Sequence, residues 1–263
     1  DPPYKGLLYY QEDEAGLFFG REQLTAQLVG RLHQQHVLAV VGASGSGKSS
    51  LVRAGLVAAL KRGQALVDGS LPPAGSQRWQ VHMITPSAHP LESLAAALTQ
   101  KEKNASVMES LLADLRSNPH SLDWFVRKLL VSDKNKQTSS RLLLVVDQFE
   151  EVFTACKDPD ERKAFIDNLV TAAQAEGPLT LILVLRADFY AQCGQYDQLR
   201  AILENYQAYI GPMSREELKR AIEEPARQGN WQFEPGLVDL ILHDVGADPG
   251  REPEPGALPL LSH

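Results

Sequence analysis

The sequence predicts a doubly wound α/β domain with a mainly parallel sheet, followed by an α-helical lid. Three observations lead there. Short unbroken apolar runs alternate with amphipathic stretches, the pattern of a parallel sheet covered by helices. A glycine-rich GxxxxGKS string directly follows the first of those runs. After Leu185 the strand pattern stops and helical periodicity takes over. The expected organisation is an N-terminal extension over residues 1–20, an α/β domain over 21–194 and a helical lid over 195–263.

The elements follow in chain order. Glu22 to Leu32 places Leu24, Leu28 and Leu32 at a spacing of four, one apolar stripe of a helix. Val37–Val41 (VLAVV) is the first strand, and Trp79–Thr85 the second. Helices are expected over Leu91–Leu98, Val107–Leu115 and Leu122–Val131, the last followed by a polar loop, SDKNKQTSS. Leu142–Val146 and Leu179–Leu185 are further strands, and their aliphatic content suits burial on both sides. Between them, Asp158-Pro159-Asp160-Glu161 supplies a cap, a proline at the first helical position and an acid at the third. Phe165, Ile166, Leu169 and Val170 form that helix's inner face. In the lid, Tyr196–Tyr206 is one helix, Ser214-x-x-Glu217 is a capping box opening a second, and Pro235–Val245 is a third.

Composition narrows the function. The chain has 263 residues, 43% of them apolar, enough for one large core or a core with a small companion. With 33 acids against 26 Lys and Arg, the formal charge is −7. That balance argues against a chain-wide nucleic-acid footprint, so no nucleic-acid partner is expected. Cys156 and Cys193 stand far apart in an ordinary apolar composition, which points to a reducing cytoplasm and not to a disulfide framework. The longest apolar runs fall well short of the roughly 20 residues that a spanning helix needs, so no membrane association is expected. The opening DPPYKG has no signal-peptide character, and LPLLSH stops inside an apolar run. A segment of a longer protein is therefore expected.

The strongest chemical signal is Gly42-Ala43-Ser44-Gly45-Ser46-Gly47-Lys48-Ser49, placed between a strand and an apolar helix that begins near Ser50. Glycines let backbone N–H groups close around phosphate oxygens, and the helix N-terminus adds partial positive charge. In such a phosphate-binding loop, Lys48 reaches the β and γ phosphates and the Ser49 hydroxyl ligates Mg²⁺. The metal also needs an acid at a strand end, which Asp147 supplies directly after Leu142–Val146. Beyond it stand Gln148, Phe149, Glu150 and Glu151. Many phosphate-loop ATPases carry their base directly after the Asp, but here that place is Gln148. Either Glu150 or Glu151 must then activate water, or hydrolysis is feeble; the plain alternative is an acidic turn favoured by a helix dipole. Arg186 ends the Leu179–Leu185 strand, positioned to sense the γ phosphate or simply to pair with Asp188.

His33 and His36 are three apart without a zinc ligand set, and read as surface or capping histidines. Arg53 lies a turn beyond Ser49, facing phosphate or solvent. The cysteines lack a histidine pattern that would make them nucleophiles.

The blocks PYKGL (Pro3–Leu7), FFGRE (Phe18–Glu22), the phosphate loop with SSLVRAGL behind it, DQFEE, LRADFY and GALPLL together resemble the STAND class of signalling P-loop NTPases, related to AAA+ proteins. Within it, the chain looks most like the novel STAND NTPase family of bacterial multidomain proteins. The resemblance implies that Phe19, Gly20 and Arg21 lie against the adenine, and that Pro259 of Gly256–Pro259 touches the nucleotide from the lid. It implies that Ser44, Gly45, Ser46, Gly47, Lys48, Ser49 and Ser50 hold ATP or ADP with Gly42. It also places Arg186 as the sensor arginine and, by likeness to NACHT families, favours Glu151 as the base. Lys48, Asp147, Glu150, Glu151 and Arg186 are then the catalytic candidates, with Ser49 and Asp147 on Mg²⁺.

The leading expectation is a cytoplasmic ATP-binding switch with slow hydrolysis that self-associates in its triphosphate state, joined in full-length relatives to effector and sensor domains. The alternatives are a nucleotide-bound interaction scaffold with negligible turnover and an AAA+ ATPase associated with DNA.

Overall fold

In a computed structural model, residues 4, 8–100, 105–132 and 141–248 are described. The Gly256–Pro259 motif and most of the SDKNKQTSS stretch lie outside them. Five strands form one sheet: β1 (Val37–Gly42), β2 (Gln80–Ile84), β3 (Leu142–Val146), β4 (Leu179–Arg186) and β5 (Gln207–Ile210), in the order β2-β3-β4-β1-β5. The pairing is parallel, with Gln80 opposite Leu142 and Leu142 opposite Leu179. The Leu181 N–H donates to the His36 carbonyl at 2.8 Å where β4 meets β1. Every residue of β1 and β3 is buried, whereas β2 is half-buried along most of its length, as an edge strand must be.

The helices are α1 (Glu22–Arg31), α2 (from Lys48 to Arg62), α3 (Pro90–Leu98), α4 (Ala105–Ser117), α5 (Ser121–Ser132), α6 (Glu151–Thr154), α7 (Pro159–Gln174), α8 (Tyr190–Cys193), α9 (Asp197–Tyr206), α10 (Arg215–Gln228) and α11 (Leu237–Asp244). The Asp158 carboxylate caps α7 by accepting from the Asp160 and Glu161 N–H groups, and the Ser214–Glu217 capping box opens α10, both as the sequence predicts. Two features differ from expectation. The stretch after Leu185 is not all helix: Gln207–Ile210 is a fifth strand, too short at four residues for its alternating burial to stand out. The helix behind the phosphate loop starts at Lys48 and is wound wider over Leu51–Val57, where the Ala58 N–H reaches back five residues to the Arg53 carbonyl.

The chain divides into two compact units. One comprises residues 34–40 and 75–208 and carries most of the sheet with α3 to α9. Its interior is aliphatic and aromatic, with Phe149 stacked on Phe165 at 6.5 Å between ring centroids. Asn168, fully buried, ties α4, α5 and α7 together: its amide donates to the carbonyls of Leu115 and Ala164, and its oxygen accepts from the Leu122 N–H. The other unit comprises residues 1–33, 41–74 and 209–263. It holds α1, α2, α10 and α11, and packs Met213, Leu218, Ile222, Val238 and Leu242 into a core of its own. Among the described residues, no helix is long and apolar enough to cross a membrane.

Candidate functional site

The phosphate loop lies in the second unit. Gly45 and Gly47 take positive φ angles of 72° and 80°, a conformation that side chains disfavour and that turns successive N–H groups toward a common point. Gly42 admits no side chain: a Cβ there would stand 2.7 Å from the Ile210 carbonyl oxygen and 2.9 Å from Ser46 Oγ. Lys48, only 8% exposed, donates from Nζ to the carbonyls of Gly42 and Ala43 at 3.1 and 2.6 Å, so its ammonium is drawn across the loop mouth. Ser46 Oγ is buried without a hydrogen-bond partner. An orphaned hydroxyl among convergent amides and a buried ammonium suits a phosphate oxygen, which would satisfy it. Ser44 and Gly45 are exposed, and Ser49 and Ser50 are half-buried at the start of α2.

The acidic residues lie in the first unit. Asp147 is 3% exposed at the carboxyl end of β3, where its Oδ1 accepts the Gln148 N–H at 3.0 Å and its own N–H donates to the Ile84 carbonyl. Gln148 takes φ 53°, one of two non-glycine residues with a positive φ among those described, so the turn after Asp147 is strained. Glu150 Oε2 accepts the Arg186 N–H at 3.2 Å. Burial, and next the charges of Glu150 and Asp147, push the Glu151 carboxyl above the ordinary glutamate range. Arg186 takes the pairing that the sequence left open: its guanidinium grips both Asp188 oxygens at 3.1 and 2.6 Å and lies 5.6 Å from the Phe189 ring centroid. Asp147, Glu150, Glu151 and Arg186 are thus gathered at and just beyond the carboxyl ends of the neighbouring strands β3 and β4.

The FFGRE segment belongs with the phosphate loop and with α10. Arg21 is 6% exposed; one terminal nitrogen donates to the Gly211 carbonyl at 2.7 Å and the other lies 3.4 Å from a Glu217 oxygen. Burial lowers its pKa, with the Glu217 charge opposing. Gly20 approaches α10 so closely that a Cβ would meet the Glu217 carbonyl oxygen at 2.4 Å. Phe19 is half-buried. The sequence reading missed Gly211, Glu217 and Arg220 as partners of this segment. Glu217 was visible only as a cap, and nothing in the sequence marks the Gly211 carbonyl as an acceptor.

Arg53, left open between phosphate and solvent, lies 4.3 Å over the Tyr9 ring. His33 meets the Leu71 carbonyl, and among the described residues no group of three or more His, Cys, Asp or Glu could hold a metal by itself. Cys193 is buried, its thiol pushed up to about 12 chiefly by that burial, and is unsuited to nucleophilic work.

Comparison with known proteins places these observations. Residues 3–263 match the family described as Novel STAND NTPase 1, and the chain belongs to that family. No curated protein matches the sequence significantly. A Walker-type ATPase of Pyrococcus abyssi shares the fold at a TM-score of 0.59 and 12% identity, over 99% of this chain and 69% of that one. The ADP form of the Aeropyrum pernix ORC2 protein matches at 0.60 and 15%, over 98% and 63%. The Aeropyrum pernix ORC1 protein, solved in complex with DNA, matches at 0.57 and 14%, over 95% and 59%. The chain spans about six- to seven-tenths of the length of these proteins, and at such identities the likeness is one of fold: an α/β architecture of the P-loop AAA+ kind.

Proposed function

We propose that this member of the Novel STAND NTPase 1 family is an ATP-binding switch module, with slow Mg²⁺-dependent hydrolysis, that governs the conformation and self-association of a larger protein. The observation that carries the reading is the phosphate cradle: two left-handed glycines, a buried lysine and a buried serine hydroxyl awaiting an acceptor. Gly42 to Ser50 bind the phosphate tail, with Lys48 as the point charge on its end. Ser49 and Asp147 offer hydroxyl and carboxylate oxygens, the hard donors that Mg²⁺ takes. When bound, that ion would neutralise charge developing on the transferred phosphoryl group.

Glu151 is the general base. A carboxyl that holds its proton above the usual range is the better acceptor from water near neutral pH. Glu150 is occupied in accepting the Arg186 N–H and holds the end of β4. Arg186 serves as the sensor only by exchanging Asp188 for phosphate, which matches a switch that responds to the γ phosphate. Residues 195–263 form the lid, and Pro259 is its nucleotide contact. The cytoplasm, effector and sensor domains on the same polypeptide, and assembly in the triphosphate state belong to this proposal.

Single-turnover hydrolysis with radiolabelled ATP and Mg²⁺ tests it. Product above a Lys48→Ala control is expected, and none over hours defeats the hydrolytic switch. Gln148 favours a second reading, a nucleotide-bound scaffold with negligible turnover, because the position after Asp147 lacks a carboxylate. A role on DNA has a fold precedent in the ORC1 protein, solved in complex with DNA, but the charge of −7 weighs against it. Anisotropy with duplex DNA at physiological salt decides that point.

A further inference from the structure

We infer that Arg21 is a positioning residue that clamps the entry to the lid, and that residues 8–22 form a strap tying the start of α2 to the start of α10. Every contact involved lies within the unit that holds both helices. The inference rests on the nucleotide reading only for what the strap regulates.

One end of the strap is fastened just behind the phosphate loop. The Tyr10 N–H donates to Ser50 Oγ at 3.1 Å, one residue beyond Ser49. Arg53 lies over the Tyr9 ring and donates to the Gln11 side-chain oxygen at 3.3 Å. Ala15, Ala54 and Ala58 pack together with Tyr10 and Phe18, whose rings stand 5.9 Å apart. Gly55 makes this fit possible: a Cβ there would come within 2.7 Å of Thr25 Oγ1 and 3.4 Å of the Phe18 ring. The strap therefore lies against the widened part of α2.

The other end is fastened to α10. Glu22 accepts the Gly20 N–H at 3.1 Å and the Arg220 guanidinium at 2.9 Å. Arg21 reaches the Gly211 carbonyl, directly after β5, and Glu217, in the first turn of α10. One guanidinium thus spans the Gly211–Ser214 connection from both sides. A planar fork can serve a carbonyl and a carboxylate together, whereas an ammonium cannot hold the same pair in the same geometry. Glu217 also accepts the Ser214 N–H of the capping box, so the clamp and the helix start share one carboxylate. Between the two ends lie only residues 12 to 19, six of them in the tight turn Glu12–Leu17. A shift at the loop end of α2 has a short path to the angle at which α10 leaves β5.

The test measures amide hydrogen exchange over Leu218 to Ile222 in the intact chain, with and without nucleotide, together with stopped-flow release of N-methylanthraniloyl-ADP. Arg21→Ala is expected to speed exchange across that turn and to release the nucleotide about tenfold faster, the scale of one lost charged hydrogen bond. Arg21→Lys should restore part of both. Unchanged exchange in Arg21→Ala overturns the clamp. So does lost affinity with unchanged exchange, because Arg21 would then be touching the nucleotide itself. If Arg21→Ala does not fold, Arg21→Lys carries the comparison, and wild-type behaviour in both readouts sinks the inference. A wild-type chain that binds no labelled ADP refutes the nucleotide reading, while exchange in the unliganded variants still judges the clamp.

Discussion

The two units are held by different physics. In the unit of residues 34–40 and 75–208, β3 is buried at every position, β4 at every residue but its last, and stability comes from close-packed aliphatic volume. The unit that carries the phosphate loop has an apolar core too, but adds directional ties between residues nearly two hundred apart, a largely buried one from Arg21 to Gly211 and Glu217 and an exposed one from Glu22 to Arg220. Apolar packing tolerates exchanges that conserve volume, whereas a buried polar tie fails when either partner is removed. The candidate phosphate groups therefore share a unit with the Arg21 tie, and the acidic residues share one with the fully buried β3.

Four substitutions probe this contrast, in falling order of effect. Lys48→Ala should abolish nucleotide binding, a loss of about 3 kcal/mol or more as expected for removing one member of a buried charge contact. Calorimetric titration showing unchanged ATP affinity would remove the phosphate loop from the site. Glu151→Gln should keep affinity and slow turnover by about 10²–10⁴-fold. Because the carboxyl is raised, the wild-type rate should climb with pH through a point above the ordinary glutamate range, and that limb should vanish in the variant. An identical pH profile in the two proteins would assign the base elsewhere.

Asn168→Ala should cost about 2–3 kcal/mol by leaving the buried Leu122 N–H and the Leu115 and Ala164 carbonyls without that partner. An unmoved urea midpoint would mean that the apolar unit does not depend on the Asn168 amide. Asp158→Ala should cost about 1 kcal/mol through the lost α7 cap, read as faster exchange at the Asp160 and Glu161 amides.

What could be read from the sequence follows the same division. The strands of the apolar unit announce themselves, because burial on both sides demands unbroken runs such as Leu142–Val146. The caps of α7 and α10 follow from local residue order, and the phosphate loop from its glycines. β5 escaped because four residues alternating out and in carry too little pattern beside a helix. The widened turn of α2 escaped because Leu51–Val57 reads as an ordinary apolar helix face. The clamp escaped because its acceptor at Gly211 is a backbone carbonyl, which every residue possesses. The family likeness marked Arg21 as a site residue, but its partners on the lid side come only from the folded chain.

The path of the polypeptide has a practical meaning. It passes from one unit to the other at 33/34, 40/41, 74/75 and 208/209, the second and fourth times within a strand, β1 and β5. Neither piece is a continuous stretch that a gene could lend or a protease could free. Dissection by truncation isolates neither unit by itself, and a circularly permuted chain would have to keep all four passages to remain whole.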